Sequence, residues 1–175
     1  MPRSPQPELD PERIFSTLDR HGVRYVVIGA VAAIAQGYPL NTGDLDLTPA
    51  RDPENLTRLA AALAEMDARL RIPNDPAGLA FPLDADYLGR AESWTFTTRH
   101  GDLDLLFMPA GTRGYEDLRR SARTFQVAGV SIQMAHLLDV IRMKEASARP
   151  KDLAQLPALR QTLEIVRARE GRSQS

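Results

Sequence analysis

Two periodicities of hydrophobic and polar residues run along the chain, one typical of β-strands and the other typical of α-helices. The continuous apolar run VRYVVIG and the strictly alternating run DLDLT each predict a strand. The longer runs SWTFTTRHGDLDLLFM and FQVAGVSIQ predict hairpins that turn near residues 99–101 and 128–129. Helix-type spacing and capping predict the helices DPERIFSTLDRHG, AVAAIAQG, DPENLTRLAAALAEMDARL, GYEDLRRSA and HLLDVIRMKEASA.

Proline and glycine mark the places where these elements end. Residues 72–90 are rich in Pro, Gly and Asp, so we expect a loop there. Pro150 ends one helix, and the run KDLAQLPALRQTLEIVRA resumes as another, with a bend or break expected at Pro157. Strands interleaved with helices, followed by a helical end, predict an α/β or α+β fold with a helical C-terminal part.

The chain is long enough for one domain with a substantial core. Its 175 residues are expected to divide into a flexible arm over 1–9, a core over 10–135 and a helical segment packed on that core over 136–170. The chain contains no cysteine, which excludes disulfides and Cys-ligated zinc. No apolar run approaches the ~18 residues of a membrane span, and the start lacks a signal-peptide pattern. We therefore expect a soluble cytoplasmic protein with no membrane partner.

Charge is distributed unevenly, although the formal net charge is only −1. Residues 1–110 carry 10 basic and 16 acidic side chains, whereas residues 111–175 carry 12 basic and 7 acidic ones, giving −6 and +5. This asymmetry fits an acidic metal-binding part beside a part that meets an anionic partner. Solvated helix faces that happen to be rich in arginine explain it equally well.

The sequence Gly-Asp-Leu-Asp-Leu occurs twice, at residues 43–47 and 101–105. Alternate side chains of a strand share a face, so each copy presents two carboxylates on one side and two leucines on the other. If the strands are neighbours, the carboxylates converge, and oxygen-only ligands suit Mg²⁺ or Mn²⁺. Two such ions are a common device of phosphoryl chemistry. The alternative interpretation is that Gly-Asp serves turns and the aspartates face water.

A strand–glycine–helix sequence, VVIGAVAAIAQG, lies just before the first copy. A helix N-terminus offers free N–H groups to phosphate, and Gly29 allows the backbone to approach a ligand closely. Such a turn is commonly structural, and the sequence matches neither a P-loop nor a dinucleotide-binding fingerprint. Its position immediately before a metal-binding strand favours a phosphate site.

These motifs in this order resemble the DNA polymerase β-like nucleotidyltransferase superfamily. The segment IGAVAAIAQGYPLNTGDLDL resembles its Gly-[Gly/Ser]…Asp-x-Asp signature, with the longer gap of the AbiEii/MenT-type toxin branch. GDLDLLF resembles the strand of the third carboxylate, and IRMKEASARPKDLAQL resembles the Lys…Arg-x-Lys-Asp segment of these toxins. The resemblance implies a mixed sheet flanked by helices, with residues 10–135 as the nucleotidyltransferase core.

The resemblance also implies roles for individual residues. Asp44, Asp46 and Asp104 would hold two Mg²⁺ or Mn²⁺ ions, and Asp104 would help to deprotonate the attacking hydroxyl. These three aspartates and Lys144 form the implied catalytic set. The implied nucleotide-binding residues are Gly29, Ala30, Thr42, Lys144, Lys151 and Asp152.

Two positions depart from the family pattern. Ala30 stands where Gly or Ser is usual, which removes a hydroxyl contact to phosphate. Leu40 stands where an arginine often precedes the threonine. Both departures bear on nucleotide affinity and activity.

The function implied by the resemblance is transfer of a nucleoside monophosphate from an NTP, such as ATP, to an acceptor hydroxyl. The implied acceptor is the 3′ end of a tRNA, and the protein would be the toxin of a toxin–antitoxin pair, with an antitoxin protein as partner. No DNA partner is expected. A small-molecule acceptor such as an aminoglycoside, a protein acceptor and a catalytically weak binding protein are the alternatives.

Overall fold

The computed structural model describes residues 6–173 and contains seven helices and eight strands within that range. The helices are α1 Pro11–Arg20, α2 Gly29–Ala35, α3 Pro53–Glu65, α4 Ala85–Leu88, α5 Tyr115–Arg119, α6 Leu137–Ser147 and α7 Pro150–Ser173. The strands are β1 Tyr25–Ile28, β2 Asp44–Pro49, β3 Arg69–Ile72, β4 Asp75–Leu79, β5 Ser93–Thr98, β6 Gly101–Leu106, β7 Arg123–Val127 and β8 Val130–Met134.

All eight strands belong to one mixed sheet with the order β4-β3-β5-β6-β2-β1-β8-β7. The two pairs β2–β6 and β1–β8 are parallel, and the remaining pairs are antiparallel. Both predicted hairpins are confirmed as β5–β6 and β7–β8. The mixed sheet with flanking helices confirms the predicted fold class.

The two Gly-Asp-Leu-Asp-Leu segments lie side by side in the centre of the sheet. β2 and β6 run parallel in register, with Asp44 opposite Asp102 and Asp46 opposite Asp104. The leucines between them, at 45, 47, 103 and 105, are completely buried in the core. The alternation therefore sends four leucines into the core and four aspartates to the opposite face of the sheet.

The loop predicted over residues 72–90 is wrong, because part of this segment is regular structure. β3 and β4 form an antiparallel hairpin whose turn contains Asn74 in a left-handed conformation, with φ 65°. β4 lies at one edge of the sheet. Pro76 is tolerated there because an edge strand has a neighbouring strand on one side only, so fewer backbone N–H donors are needed. α4 follows, and Asp84 caps it by accepting a hydrogen bond from the Tyr87 N–H.

Helix α3 is also shorter than its hydrophobic pattern predicts. It ends at Glu65, and Asp67 adopts a left-handed conformation (φ 53°) that redirects the chain into β3. Residues 69 and 70, predicted as the end of the helix, are therefore strand residues. Pairing of β3 with β4 and β5 outweighs the helical propensity of this segment.

The chain does not break at Pro157, because α7 is helical from residue 150 to residue 173. Proline removes one backbone hydrogen bond and costs about 3 kcal/mol in a helix interior. The buried side chains of Leu156, Leu159 and Leu163 hold the helix against the core. Burial contributes about 1.5–3 kcal/mol for each such side chain, which is enough to offset the proline.

Both ends of the described chain contact the rest of the molecule. Residues 1–5 of the predicted arm lie outside the described residues, whereas Leu9 packs against the core and the Asp10 N–H donates to the His100 carbonyl at 2.9 Å. At the other end, α6 and α7 pack against each other. Within residues 6–173, no helix has the combination of length and apolar character needed to cross a membrane.

Candidate active site

Three of the predicted carboxylates meet on the polar face of the sheet. Asp44 and Asp46 on β2 and Asp104 on β6 each offer a carboxylate oxygen, and these oxygens lie within 4.8 Å of one another. All three residues are half-buried. The convergence follows from the register, because parallel neighbours place equivalent residues of the two strands side by side.

Burial and mutual repulsion oppose full ionisation of this cluster. Burial, together with the charges of Asp44 and Asp104, raises the pKa of Asp46 to about 7, against the opposing cations Lys144 and Arg71. Burial also raises the pKa of Asp104, and Arg71 opposes that rise. A divalent cation placed between the carboxylates would reverse this repulsion.

The donor set fits a hard divalent cation. The three groups supply only oxygen ligands, and they lie close enough together to share an ion. Cysteine and histidine, which favour softer metals, take no part in the cluster. Asp44, Asp46 and Asp104 are therefore suited to Mg²⁺ or Mn²⁺ rather than to zinc or copper.

Gly29, at the start of α2, is packed directly against the cluster. Its φ is +65°, and a β-carbon at this position would lie only 2.4 Å from Oδ2 of Asp46. No side chain fits there without moving that carboxylate. The glycine therefore serves the placement of Asp46, in addition to its predicted contact with phosphate.

Substitution of Gly29 by alanine is expected to lower the melting temperature and weaken stabilisation by Mg²⁺. The left-handed conformation costs an alanine about 1–2 kcal/mol, and the added methyl group displaces the Asp46 carboxylate. Gly43→Ala is the matched control, because a β-carbon there has no neighbour within 4 Å. Equal Mg²⁺-induced shifts in melting temperature for the two variants would contradict this assignment.

Thr42 and Asp152 each accept or donate hydrogen bonds with predicted site residues. The Thr42 hydroxyl donates to Oδ1 of Asp44 at 3.0 Å, just before β2 begins. Lys144 on α6 donates to Oδ1 of Asp152 on α7 at 3.1 Å. The side chain of Asp152 is only 2% exposed, and it also accepts hydrogen bonds from Ser147 and Arg149.

These hydrogen-bond donors keep the Asp152 carboxylate ionised. Burial would raise the pKa of Asp152, but the hydrogen bonds from Arg149, Ser147 and Lys144 outweigh burial and hold it well below its usual range. A permanently ionised Asp152 therefore fixes two cationic side chains. One of them, Lys144, lies near enough to the cluster to lower the pKa of Asp46.

Three further residues singled out in the sequence lie on α2, on α7 and in the loop before β2. Ala30 is half-buried in the first turn of α2, and Lys151 is exposed in the first turn of α7. Leu40 is exposed in the loop before β2. Phosphate binding by Gly29, Ala30 and Lys151 stays a prediction.

Two arginines near the site were not assigned a role from the sequence. Arg71 on β3 donates to Oδ1 of Asp104 at 2.6 Å, and Arg149 donates to Asp152. Arg71 lies between the predicted helix, which ends at residue 70, and the predicted loop, which begins at residue 72, so no element was predicted for it. Arg149 belongs to the Lys…Arg-x-Lys-Asp segment, so the motif itself contained the signal for it.

The fold resembles solved structures of nucleotidyltransferases at low sequence identity. The lincomycin-bound lincosamide antibiotic adenylyltransferase LnuA matches with a TM-score of 0.57 and 10% identity, over 89% of this chain and 99% of that one. The antibiotic-resistance factor ANT(2'')-Ia in solution matches with a TM-score of 0.55 and 17% identity, over 94% and 90% of the two chains. Its complex with adenylyl-2''-tobramycin matches with a TM-score of 0.55 and 16% identity, over 94% and 97%.

Comparisons of the sequence itself with known families and proteins give no match. No family model matches the chain, and no curated protein matches it. The structural likeness, at these identities, shows the fold that the chain shares with nucleotidyltransferases.

Proposed function

We propose that the protein is a metal-dependent nucleotidyltransferase that transfers a nucleoside monophosphate from an NTP to an acceptor hydroxyl. The observation that supports this most strongly is the convergence of Asp44, Asp46 and Asp104 on one face of a nucleotidyltransferase fold. The buried pair of Lys144 and Asp152, and Gly29 packed on Asp46, add to it.

The reaction forms one bond and breaks another at the α-phosphorus. The acceptor oxygen bonds to the α-phosphorus, and the bond from that phosphorus to the oxygen bridging to the β-phosphate breaks, so pyrophosphate leaves with the electron pair. Asp104 receives the proton of the hydroxyl as general base. Lys144, held by Asp152, contributes positive charge to the phosphates.

Asp44, Asp46 and Asp104 would hold the divalent cation. When bound, Mg²⁺ or Mn²⁺ supplies charge neutralisation on the phosphate oxygens. The chain's own contribution is to position the carboxylates: Thr42 donates to Asp44, and Gly29 leaves space for Asp46. Positioning and electrostatics supply most of the catalysis in phosphoryl transfer.

Two acceptor classes follow from different observations. The motif resemblance to the AbiEii/MenT-type branch supports the 3′ end of a tRNA, and a toxin of that kind would have an antitoxin partner. The likeness to LnuA with lincomycin and to ANT(2'')-Ia with adenylyl-2''-tobramycin supports a small-molecule hydroxyl. Six basic side chains of the region 111–175 form ion pairs with acidic side chains of the same region, so these pairs leave its net charge of +5 unchanged.

A single set of incubations separates these acceptors. The protein is incubated with Mg²⁺ and each α-labelled NTP, together with total RNA or with a mixture of aminoglycosides and lincosamides. Label in a tRNA-sized band supports the tRNA proposal, and label in a small product supports the alternative. The same assay identifies the preferred base.

The arginines of the last helix give a second test of the RNA acceptor. Arg167 and Arg169 are exposed on α7. If this helix binds a tRNA backbone, Arg167→Glu with Arg169→Glu reduces RNA binding and flattens its salt dependence, because fewer counterions are released. NTP binding is expected to stay unchanged. The measurement is tRNA affinity against ionic strength, and absence of tRNA binding by the parent at low salt would exclude this acceptor.

A further inference from the structure

Arg71 occupies a position between two carboxylates of β6. Its Nη2 donates to Oδ1 of Asp104 at 2.6 Å and to the Phe96 carbonyl at 3.1 Å. Its Nε lies 3.3 Å from Oδ2 of Asp102, yet this buried nitrogen has no hydrogen-bond partner among the described residues. The Arg71 side chain is 26% exposed, so the guanidinium is largely removed from water.

This arrangement leaves Arg71 half-satisfied. A guanidinium binds a carboxylate best through two parallel N–H donors. Here Asp104 accepts a hydrogen bond from Nη2 only, and Nε lies near Asp102 without forming a hydrogen bond to it. A small rotation toward Asp102 would give Nε an acceptor. Such a rotation would also release an oxygen of Asp104, one of the three groups suited to a divalent cation.

We propose that Arg71 is a positioning residue that holds Asp104 in the metal-free protein and shifts onto Asp102 when a divalent cation binds. This inference rests on the proposed function, because it takes Asp104 as a ligand of that cation. Arg71 supplies positive charge beside Asp104 and would compete with the ion for the carboxylate. Asp102, the fourth aspartate of the repeated motif, is the acceptor to which Arg71 moves.

The other arginine of β3, Arg69, makes different contacts, so the proposed exchange is specific to Arg71. Arg69, on the same strand and two residues away, donates through Nε to the Ala77 carbonyl at 2.7 Å, toward the edge of the sheet. It has no described contact with the carboxylates. Arg69 is therefore a matched control for the charge, the strand and the side-chain type.

The first test observes Arg71 directly by NMR. The side-chain Nε–H signals of the full-length protein are recorded during an Mg²⁺ titration, and the Arg71 signal is assigned by its loss in Arg71→Lys. The Arg71 signal is expected to move downfield as Nε gains Asp102 as acceptor, while the Arg69 signal stays in place. An Arg71 signal that does not respond while Mg²⁺ binds would overturn the proposal.

The second test measures Mn²⁺ affinity by electron paramagnetic resonance in the absence of NTP. Removal of a competing cation within a few ångströms is expected to tighten Mn²⁺ binding about tenfold in Arg71→Gln, and to leave it unchanged in Arg69→Gln. A merely structural role for Arg71 predicts a lower melting temperature with unchanged affinity, which contradicts the proposal. If Arg71→Gln does not fold, the NMR result on the parent protein decides.

These measurements separate this inference from the proposed function. A parent protein that binds no Mn²⁺ contradicts the metal site itself, and this inference with it. Mn²⁺ binding that is lost in Asp46→Asn but insensitive to Arg71→Gln supports the metal site and overturns only the role of Arg71.

Discussion

Replacement of Asp46 by asparagine is expected to abolish nucleotidyl transfer while leaving the metal-free protein at least as stable as the parent. The substitution removes a central member of the carboxylate cluster, so transfer is expected to fall below detection, a loss of at least about 10²–10³-fold. Stability moves the other way, because burial and the neighbouring Asp44 and Asp104 charges make ionised Asp46 unfavourable in the folded chain. A large loss of melting temperature would instead identify Asp46 as a structural residue.

The stability gain is expected to depend on pH in a defined direction. The folded-state pKa of Asp46 is raised from 3.8 to about 7, so its protonation stabilises the fold at low pH, and this stabilisation is lost as pH rises to about 7. Asparagine stays neutral throughout. The melting temperatures of parent and variant are therefore expected to be nearly equal at about pH 4, with the variant higher at pH 8. Each pKa unit corresponds to about 1.4 kcal/mol, so the gain reaches a few kcal/mol. Added Mg²⁺ should stabilise only the parent appreciably.

Replacement of Asp152 by asparagine is expected to cause the largest loss of stability, about 3 kcal/mol at neutral pH. The Asp152 carboxylate is 2% exposed, and its partner Lys144 is 18% exposed, so the substitution leaves a largely buried ammonium without its counter-charge. Activity is expected to fall as well, because Lys144 loses the group that holds it beside the cluster. The measurement is chemical denaturation together with transfer activity.

An exposed pair between the same two helices provides the control. Arg160 on α7 and Glu145 on α6 lie 2.5 Å apart, with side chains 56% and 46% exposed, so Glu145→Gln is expected to cost less than about 1 kcal/mol. The folded-state pKa of Asp152 is depressed, so its contribution is present above about pH 4 and is lost as pH falls toward the folded value. A penalty for Asp152→Asn no larger than that for Glu145→Gln would contradict the anchoring role.

Alternation made the centre of the sheet predictable. Each Asp-Leu-Asp-Leu segment has one apolar and one acidic face. Only an orientation that buries the leucines also keeps the aspartates out of the hydrophobic core. The carboxylates therefore had to share a face once the strands were neighbours. Turn residues at 99–101 and 128–129 made the two hairpins predictable in the same way.

The strand that carries Arg71 was not predictable by the same reasoning. Its hydrophobic pattern continues that of α3, and only the left-handed Asp67 separates the two. β3 is a strand because it pairs with β4 and β5, and the β5 pairing, which places Leu70 opposite Phe96, is not contained in any local pattern. Arg71 lies 33 residues from Asp104 in the sequence, so their ion pair exists only in the folded chain.

Charge counting along the sequence does not by itself identify a nucleic-acid surface. The net +5 of residues 111–175 includes arginines whose partners are remote in sequence, such as Arg123, which pairs with Glu170 on α7. Glu170 is already counted in the +5, so such pairs leave the net charge unchanged and decide only which cations stay unpaired. A net charge therefore describes the segment, whereas a nucleic-acid surface depends on which cations lack partners in the fold.

The central claim is that this carboxylate cluster performs metal-dependent nucleotidyl transfer, and release of pyrophosphate tests it most directly. The parent protein and Asp46→Asn are each incubated with an NTP that is labelled at either the α- or the γ-phosphate. Each reaction contains the RNA or the small-molecule acceptor pool, and either Mg²⁺ or EDTA. We expect α-label in an acceptor and γ-label in pyrophosphate for the parent with Mg²⁺ only, and neither product for Asp46→Asn. Release of γ-label as inorganic phosphate, or equal products from parent and variant, would contradict the claim.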